Sequence, residues 1–309
     1  MRESDRPNRR EILKAGGLLL GAGSAGRAAA ADPKPEPPSG CVGLPDGWRA
    51  MRKFDAHNHV FEPVQEPDAD WSRAEALLEA AEAMGIEKLC CSKPITGGKM
   101  VGIEEVRAAN DSILAAMRRY PDRIAGYCFV QPGNGPVALD EIERCLDAGM
   151  IGVKLYNQFK YSDPIVFPVA ERCVERRIPM LGHSGHVTDA RTRAAQPRIS
   201  DSLDFCALAS RYPELMLILG HVNGGGDWEW AIKGLRDCPS VYVDTSGSVL
   251  EDDTIGMCVR ELGVERILFA TDMTVEGCVG KILSADLTAE QREAIFWRNL
   301  QKILDRRPS

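Results

Sequence analysis

A closed (β/α)8 TIM barrel, eight parallel strands each followed by a helix, is the fold this sequence predicts, and three observations carry that expectation. The chain has 309 residues, enough for a barrel of this kind, which takes roughly 250. Its composition, 44% hydrophobic and 27% charged, is that of a soluble protein able to bury a full core. From residue 51 onward short apolar runs alternate with longer stretches of helical period, eight of each. A doubly wound open sheet is the structural alternative, and no Gly-x-Gly-x-x-Gly follows the first apolar run to support it.

In chain order, residues 1–31 read as a twin-arginine export signal. Arg9 and Arg10 lead through Ile12, Leu13 and Lys14 into a weakly apolar, Gly-rich stretch and a small-residue run, Ala28 to Ala31. The export machinery is then a partner and the periplasm or cell exterior the expected location. Residues 32–50 follow as a linker whose start is Pro-rich. The barrel is expected over residues 51–305. Its strands are placed at 52–60, 88–92, 124–130, 151–156, 179–182, 216–220, 241–245 and 266–271. Helices are placed at 71–84, 103–120, 139–148, 164–177, 203–212, 228–236, 253–262 and 289–304. Gly85, Gly149 and Gly263 close three of these helices, and Thr288 with Gln291 forms a capping box at the last.

The balance of 38 Lys plus Arg against 45 Asp plus Glu gives a net charge of -7 and no basic footprint for nucleic acid. No stretch is long and apolar enough for a membrane span in the mature chain. Of the 10 cysteines, Cys90, Cys91 and Cys128 lie inside apolar runs and there is no Cys-x-x-Cys. Most are read as small buried hydrophobes.

The 5 histidines all fall at or just beyond the carboxyl ends of strands, the face on which barrel enzymes place their chemistry. His57 and His59 close the first strand two residues apart, so both project to one side. His183 closes the fifth and His221 the sixth. Asp272 ends the eighth after four residues that belong in a core, and barrel closure sets it beside the first strand. His57, His59, His183 and Asp272 offer three nitrogens and an oxygen, a donor set that suits zinc or another divalent ion such as manganese. His186, just past the fifth strand, reads more simply as a satisfied structural histidine.

FDAHNH at the first strand, GVKLY at the fourth, MLGHSGH at the fifth, LILGHVNGG at the sixth, RILFATD at the eighth and Asn299 in the closing helix together resemble the amidohydrolase superfamily. The closer likeness is to its amidohydrolase-2 branch, which holds lactone and amide hydrolases together with aromatic-acid decarboxylases. The resemblance implies that His57, His59, His183 and Asp272 hold one divalent metal and that His221 and Asp272 handle protons. It also implies a small, anionic substrate with Lys154 on its carboxylate, and the strand-end residues Tyr156 and Asn223 are further expected contacts. Some decarboxylases of the branch carry Glu where this chain has His57, which tips the expectation towards a hydrolase using metal-activated water. Decarboxylation on the same site is the second reading, and a catalytically silent binding barrel the third. A second metal bridged by a carboxylated Lys154 is the less favoured ligand scheme. Lys93, Gln131, Ser184 and Ser246 are further polar residues at strand ends, and a homo-oligomer is left open.

Overall fold

The computed structural model describes residues 45–62, 70–222, 224 and 226–307. The signal at 1–31, most of the linker, Cys41 and Asn223 lie outside the described residues. Eight strands follow one another around a parallel sheet in chain order: β1 (Phe54–His59), β2 (Lys88–Ser92), β3 (Ile124–Phe129), β4 (Gly152–Leu155), β5 (Met180–His183), β6 (Leu217–Gly220), β7 (Val241–Asp244) and β8 (Ile267–Leu268). Each is buried because helices cover the outside of the sheet and side chains fill the inside, the expected environment of a parallel sheet.

The helices are α1 (Ser72–Ala83), α2 (Ile103–Arg119), α3 (Pro136–Asp147), α4 (Phe167–Glu175), α5 (Ala190–Ala195), α6 (Ser202–Arg211), α7 (Trp228–Lys233), α8 (Thr254–Leu262), α9 (Val275–Ser284), α10 (Ala289–Glu293) and α11 (Asn299–Leu304). The barrel predicted from the sequence is therefore the fold observed, with two helices it did not foresee. α5 is too short to show a helical period. α9 carries Gly277 and Gly280 in its interior, which lowers its intrinsic propensity, yet packing buries Val275, Cys278, Val279, Ile282 and Leu283 on one side.

The predicted closing helix is broken. A π-helical turn, Ala294–Arg298, separates α10 from α11, and its Ile295 carbonyl accepts a hydrogen bond from Phe269 N at 2.9 Å. That bond takes up an amide just past the two-residue strand β8. The seam between the first and last strands is closed by Ala56 N to Phe269 O at 2.8 Å and Asp272 N to His57 O at 2.9 Å. Asp55, fully buried, adds a side-chain clasp across it. It accepts from Thr271 N and Oγ1, from Asn58 Nδ2 and from His57 N. Burial pushes its carboxyl up to about 7 in spite of those bonds.

Seven described cysteines are buried free thiols, as most were expected to be. Cys206 of α6 and Cys238, ahead of β7, form a disulfide that closes a segment containing His221. No helix among the described residues is long and apolar enough to cross a membrane.

Candidate metal centre and proton-transfer site

β1 delivers His57 and His59 together, although a bulge between Asp55 and Asn58 interrupts the simple alternation the sequence suggested. Their rings meet edge to face, with centroids 5.1 Å apart. Gly220, the last residue of β6, gives the His57 ring its space: a Cβ there would sit 2.8 Å from Gly182 O and 3.2 Å from the imidazole. The next residue, His221, has φ 66°, and Asp272 and Met273 after β8 have φ 43° and 68°. Side chains held in the left-handed region cost about 1–3 kcal/mol each and collect at functional sites. Two of these three are the residues expected to move protons.

Two histidines are anchored by their outer nitrogens. His57 Nδ1 lies 2.8 Å from Asp244 Oδ2, with both side chains completely buried. His59 Nδ1 donates to Ser92 O at 3.0 Å. A neutral imidazole so anchored leaves Nε2 bare. The bare His59 Nε2 lies 3.1 Å from Asp272 Oδ1, two electron-rich atoms face to face, an arrangement that a cation between them satisfies. One ligand atom each from His57, His59 and Asp272 falls within 4.8 Å of the others. Burial, followed by the charge of Lys154, lowers His57 to about 4, so its ring stays neutral and keeps a lone pair on Nε2. Burial would raise Asp272, but the ring of His59 beside it and the neighbouring His221 and His57 outweigh it and hold the carboxyl far below its usual range. The trio therefore fits a divalent ion in chemistry as well as position.

His183 does not join that trio. Its Nδ1 faces His221 Nε2 at 2.9 Å and its Nε2 faces Gln196 Oε1 at 3.2 Å. Tyr156 stacks on its ring with centroids 4.1 Å apart. Burial lowers both His183 and His221, the latter to about 3. Lys154, fully buried and lowered to about 8 by desolvation, places Nζ 2.6 Å from His57 Nε2, on the lone pair an ion would use. A cavity of about 290 Å³ opens beside these groups, lined among others by His183, Val187, Gln196, Ile199, His221 and Asp272. Lys154, Tyr156 and His57 do not line it, and His59 borders a separate small recess with Phe61 and Met273. His186 is a strut, stacked on Trp230 at 3.9 Å and 3.3 Å from Asp201 Oδ2. Its carbonyl, which accepts from Asp227 N, would collide with any side chain at Gly226.

Sequence reasoning missed Asp244. Its Oδ1 accepts from His221 N at 2.9 Å, Ser246 N at 3.0 Å and Ser246 Oγ at 2.6 Å, while Oδ2 holds His57. With four protein groups on it, Asp244 is a hub and not a spare ligand, though His57, His221 and Asp244 also cluster within 4.8 Å. Burial would raise its carboxyl, but the His57 ring bonded to it and the Ser246 hydroxyl hold it well below the usual range. The available signal was a carboxylate closing the apolar run VYVD, the same signal that marked Asp272. Gln196, in the long excursion after β5, carried none.

Residues 54–306 match the Amidohydro_2 family (Amidohydrolase). The chain belongs to this family. Among similar amidohydrolases, the gamma-resorcylate decarboxylase of Polaromonas sp. is 23% identical over 303 residues, covering 77% of this chain and 91% of that protein. A crystal structure of 2,6-dihydroxybenzoate decarboxylase from Rhizobium is 17% identical, with TM-score 0.63 over 82% of this chain and 98% of its own. That of 5-carboxyvanillate decarboxylase from Novosphingobium aromaticivorans, complexed with manganese and a nitrobenzoic acid, is 17% identical, with TM-score 0.62 over 84% and 97%. At such identity the structural likeness shows the fold. The relatives correct the leading sequence expectation, because they are decarboxylases and the hydrolase reading fails against them. The identity of the residue at position 57 bears on how an ion would be held and does not dictate which bond of the substrate breaks.

Proposed function

We propose that this amidohydrolase is a metal-dependent, non-oxidative decarboxylase of a small hydroxylated aromatic acid. The observation that carries this is the trio His57, His59 and Asp272, whose Asp272 lines one small cavity together with His183 and His221. The resemblance to decarboxylases of dihydroxybenzoate type supports the reaction class. At about 290 Å³ the cavity lies at the lower end of the range for small-molecule sites, which suits a single-ring acid.

His57, His59 and Asp272, with His183 as the further expected ligand, would hold a divalent ion, which would supply Lewis acidity toward the substrate carboxylate. Manganese is the ion favoured by the relatives and zinc the alternative. His221, held neutral by burial, takes up a proton from water and passes it to the substrate. The ring carbon gains a proton, the bond to the carboxylate breaks with its electron pair returning to the ring, and carbon dioxide leaves. Asp244 keeps both His57 and His221 in place during this step. The silent-barrel reading is disfavoured by the backbone: left-handed conformations at His221 and Asp272 cost stability that a merely structural metal site has no need to spend. Work outside the cytoplasm is supported by the paired arginines and by the Cys206–Cys238 disulfide, since oxidising compartments preserve such bonds.

The test supplies manganese-loaded protein with a panel of hydroxybenzoates in deuterated water. Evolved carbon dioxide and one ring deuterium per turnover are expected. Absence of carbon dioxide across the panel, with metal bound, would overturn the reading.

A further inference from the structure

The hydrogen bonds around Asp244 fix which nitrogen of His221 carries its hydrogen. Backbone amides can only donate, and Asp244 Oδ1 accepts from two of them, His221 N and Ser246 N. That oxygen is therefore an acceptor, and the Ser246 hydroxyl 2.6 Å away must donate to it. A hydroxyl has one hydrogen. With that hydrogen committed to Asp244, Ser246 Oγ has only lone pairs to offer His221 Nδ1, which lies 2.9 Å away on its other side. Nδ1 must then be the protonated nitrogen. Asp272 Oδ2, 3.6 Å from the same nitrogen, is a second electron-rich atom on that side. In the neutral ring Nε2 is left bare, 2.9 Å from His183 Nδ1, between two residues that line the cavity.

We propose that Ser246 is a positioning residue that fixes His221 in the tautomer with its hydrogen on Nδ1, so that Nε2 is the nitrogen that exchanges protons with the substrate. The same carboxylate fixes His57 through its other oxygen, and one residue of β7 thereby sets the rings of both the metal trio and the proton carrier. Ser246 itself is fully buried and is not among the cavity-lining residues, so it acts through His221 and not on the substrate. The tautomer follows from the hydrogen bonds alone; its use in proton transfer rests on the decarboxylase reading.

The two parts are tested separately. Protein labelled with ring-15N histidine and loaded with diamagnetic zinc should show His221 protonated at Nδ1 and bare at Nε2, in a spectrum simplified by the presence of only 5 histidines. A hydrogen on Nε2 in place of Nδ1 overturns the proposal whatever the reaction proves to be. Ser246→Ala should keep its zinc and a KM within about threefold of the parent while kcat falls about 10- to 100-fold, the usual cost of losing an orienting partner. Ser246→Thr, which retains the hydroxyl, should recover most of that loss. An unchanged kcat in Ser246→Ala, or no recovery in a folded Ser246→Thr, overturns it. Should Ser246→Ala fail to fold, the parent spectrum and the threonine variant still decide. If no hydroxybenzoate is decarboxylated, the function falls while the spectrum continues to judge the tautomer.

Discussion

Two separate regions among the described residues bring potential metal ligands within 4.8 Å of one another. At the barrel mouth they are His57, His59 and Asp272; between β3 and α3 they are Cys128, Glu141 and Cys145. The second is fully satisfied. Glu141 Oε1 accepts from Asn110 at 2.8 Å and Arg144 at 2.7 Å, Oε2 accepts from Arg144 at 2.8 Å, and Cys145 adds a weak bond at 3.4 Å. Asn110 in turn exchanges two bonds with the Phe129 backbone. At the mouth, by contrast, a bare imidazole nitrogen faces a carboxylate, and the backbone after β6 and β8 is held in costly conformations. Proximity alone does not make a metal centre. Unused bonding capacity beside a cavity does, and a cluster whose polar atoms are all paired is a polar part of the core.

The sharpest way to break this comparison is to empty each cluster in turn. His57→Ala with His59→Ala should abolish near-stoichiometric metal binding, read by elemental analysis, and take turnover to background. Cys128→Ala with Cys145→Ala should leave metal content and kcat as they were. Metal retained by the first variant, or lost from the second, would reverse the assignment of the two clusters.

A narrower cut separates the ion from the proton carrier. His221→Ala should keep its metal, because His221 is outside the trio, while kcat falls about 10²- to 10⁴-fold, the range associated with a positioned acid or base. A variant that keeps both its metal and most of its turnover would remove His221 from the reaction and move attention to Asp272.

Much of this was legible in the sequence for a physical reason. A polar residue directly after an apolar run is anomalous in a core, and His57, His59, His183, His221 and Asp272 all stood out that way. What was not legible depends on contacts between elements far apart in the chain. Asp244 stood at a strand end too, but it is 187 residues from His57 and only the closed barrel pairs them. Ser246 could be picked out as a strand-end residue, yet its orienting role needs the direction of two backbone amides. The Gln196 contact requires the fold of the excursion after β5, and the Cys206–Cys238 bond requires α6 to lie against the approach to β7. The closing helix read as continuous because Ala289 to Leu304 keeps a helical period, while the π turn within it meets the chain after β8 through the Phe269 N to Ile295 O bond, a contact that only the fold makes. The bond that breaks was least legible of all, since a ligand set constrains the ion more than the substrate.

The smallest effect expected tests the satisfied cluster on its own terms. Glu141→Gln keeps the volume but turns an acceptor-only carboxylate into an amide whose nitrogen must face the donors of Arg144 or Asn110. Losing charge-assisted bonds of this kind costs about 1.5–3 kcal/mol; the low side applies because Arg144 is 39% exposed and can turn to water. A fall in Tm of about 5 °C is expected, measured by calorimetry at pH 7. Metal content and kcat should not change. Burial alone would raise the Glu141 carboxyl, but the Arg144 and Asn110 bonds outweigh it and hold it below its ordinary value. A carboxyl lowered in the folded state contributes fully above its unfolded pKa of about 4.3 and loses that contribution as the pH falls towards the folded value. The Tm gap between parent and variant should accordingly be widest near neutrality and close on acidification. A gap that persisted unchanged into acid would mean that Glu141 stabilises the β3–α3 contact by its shape, with its charge contributing nothing, and the contrast between a saturated cluster and an unsaturated one would then rest on the mouth alone.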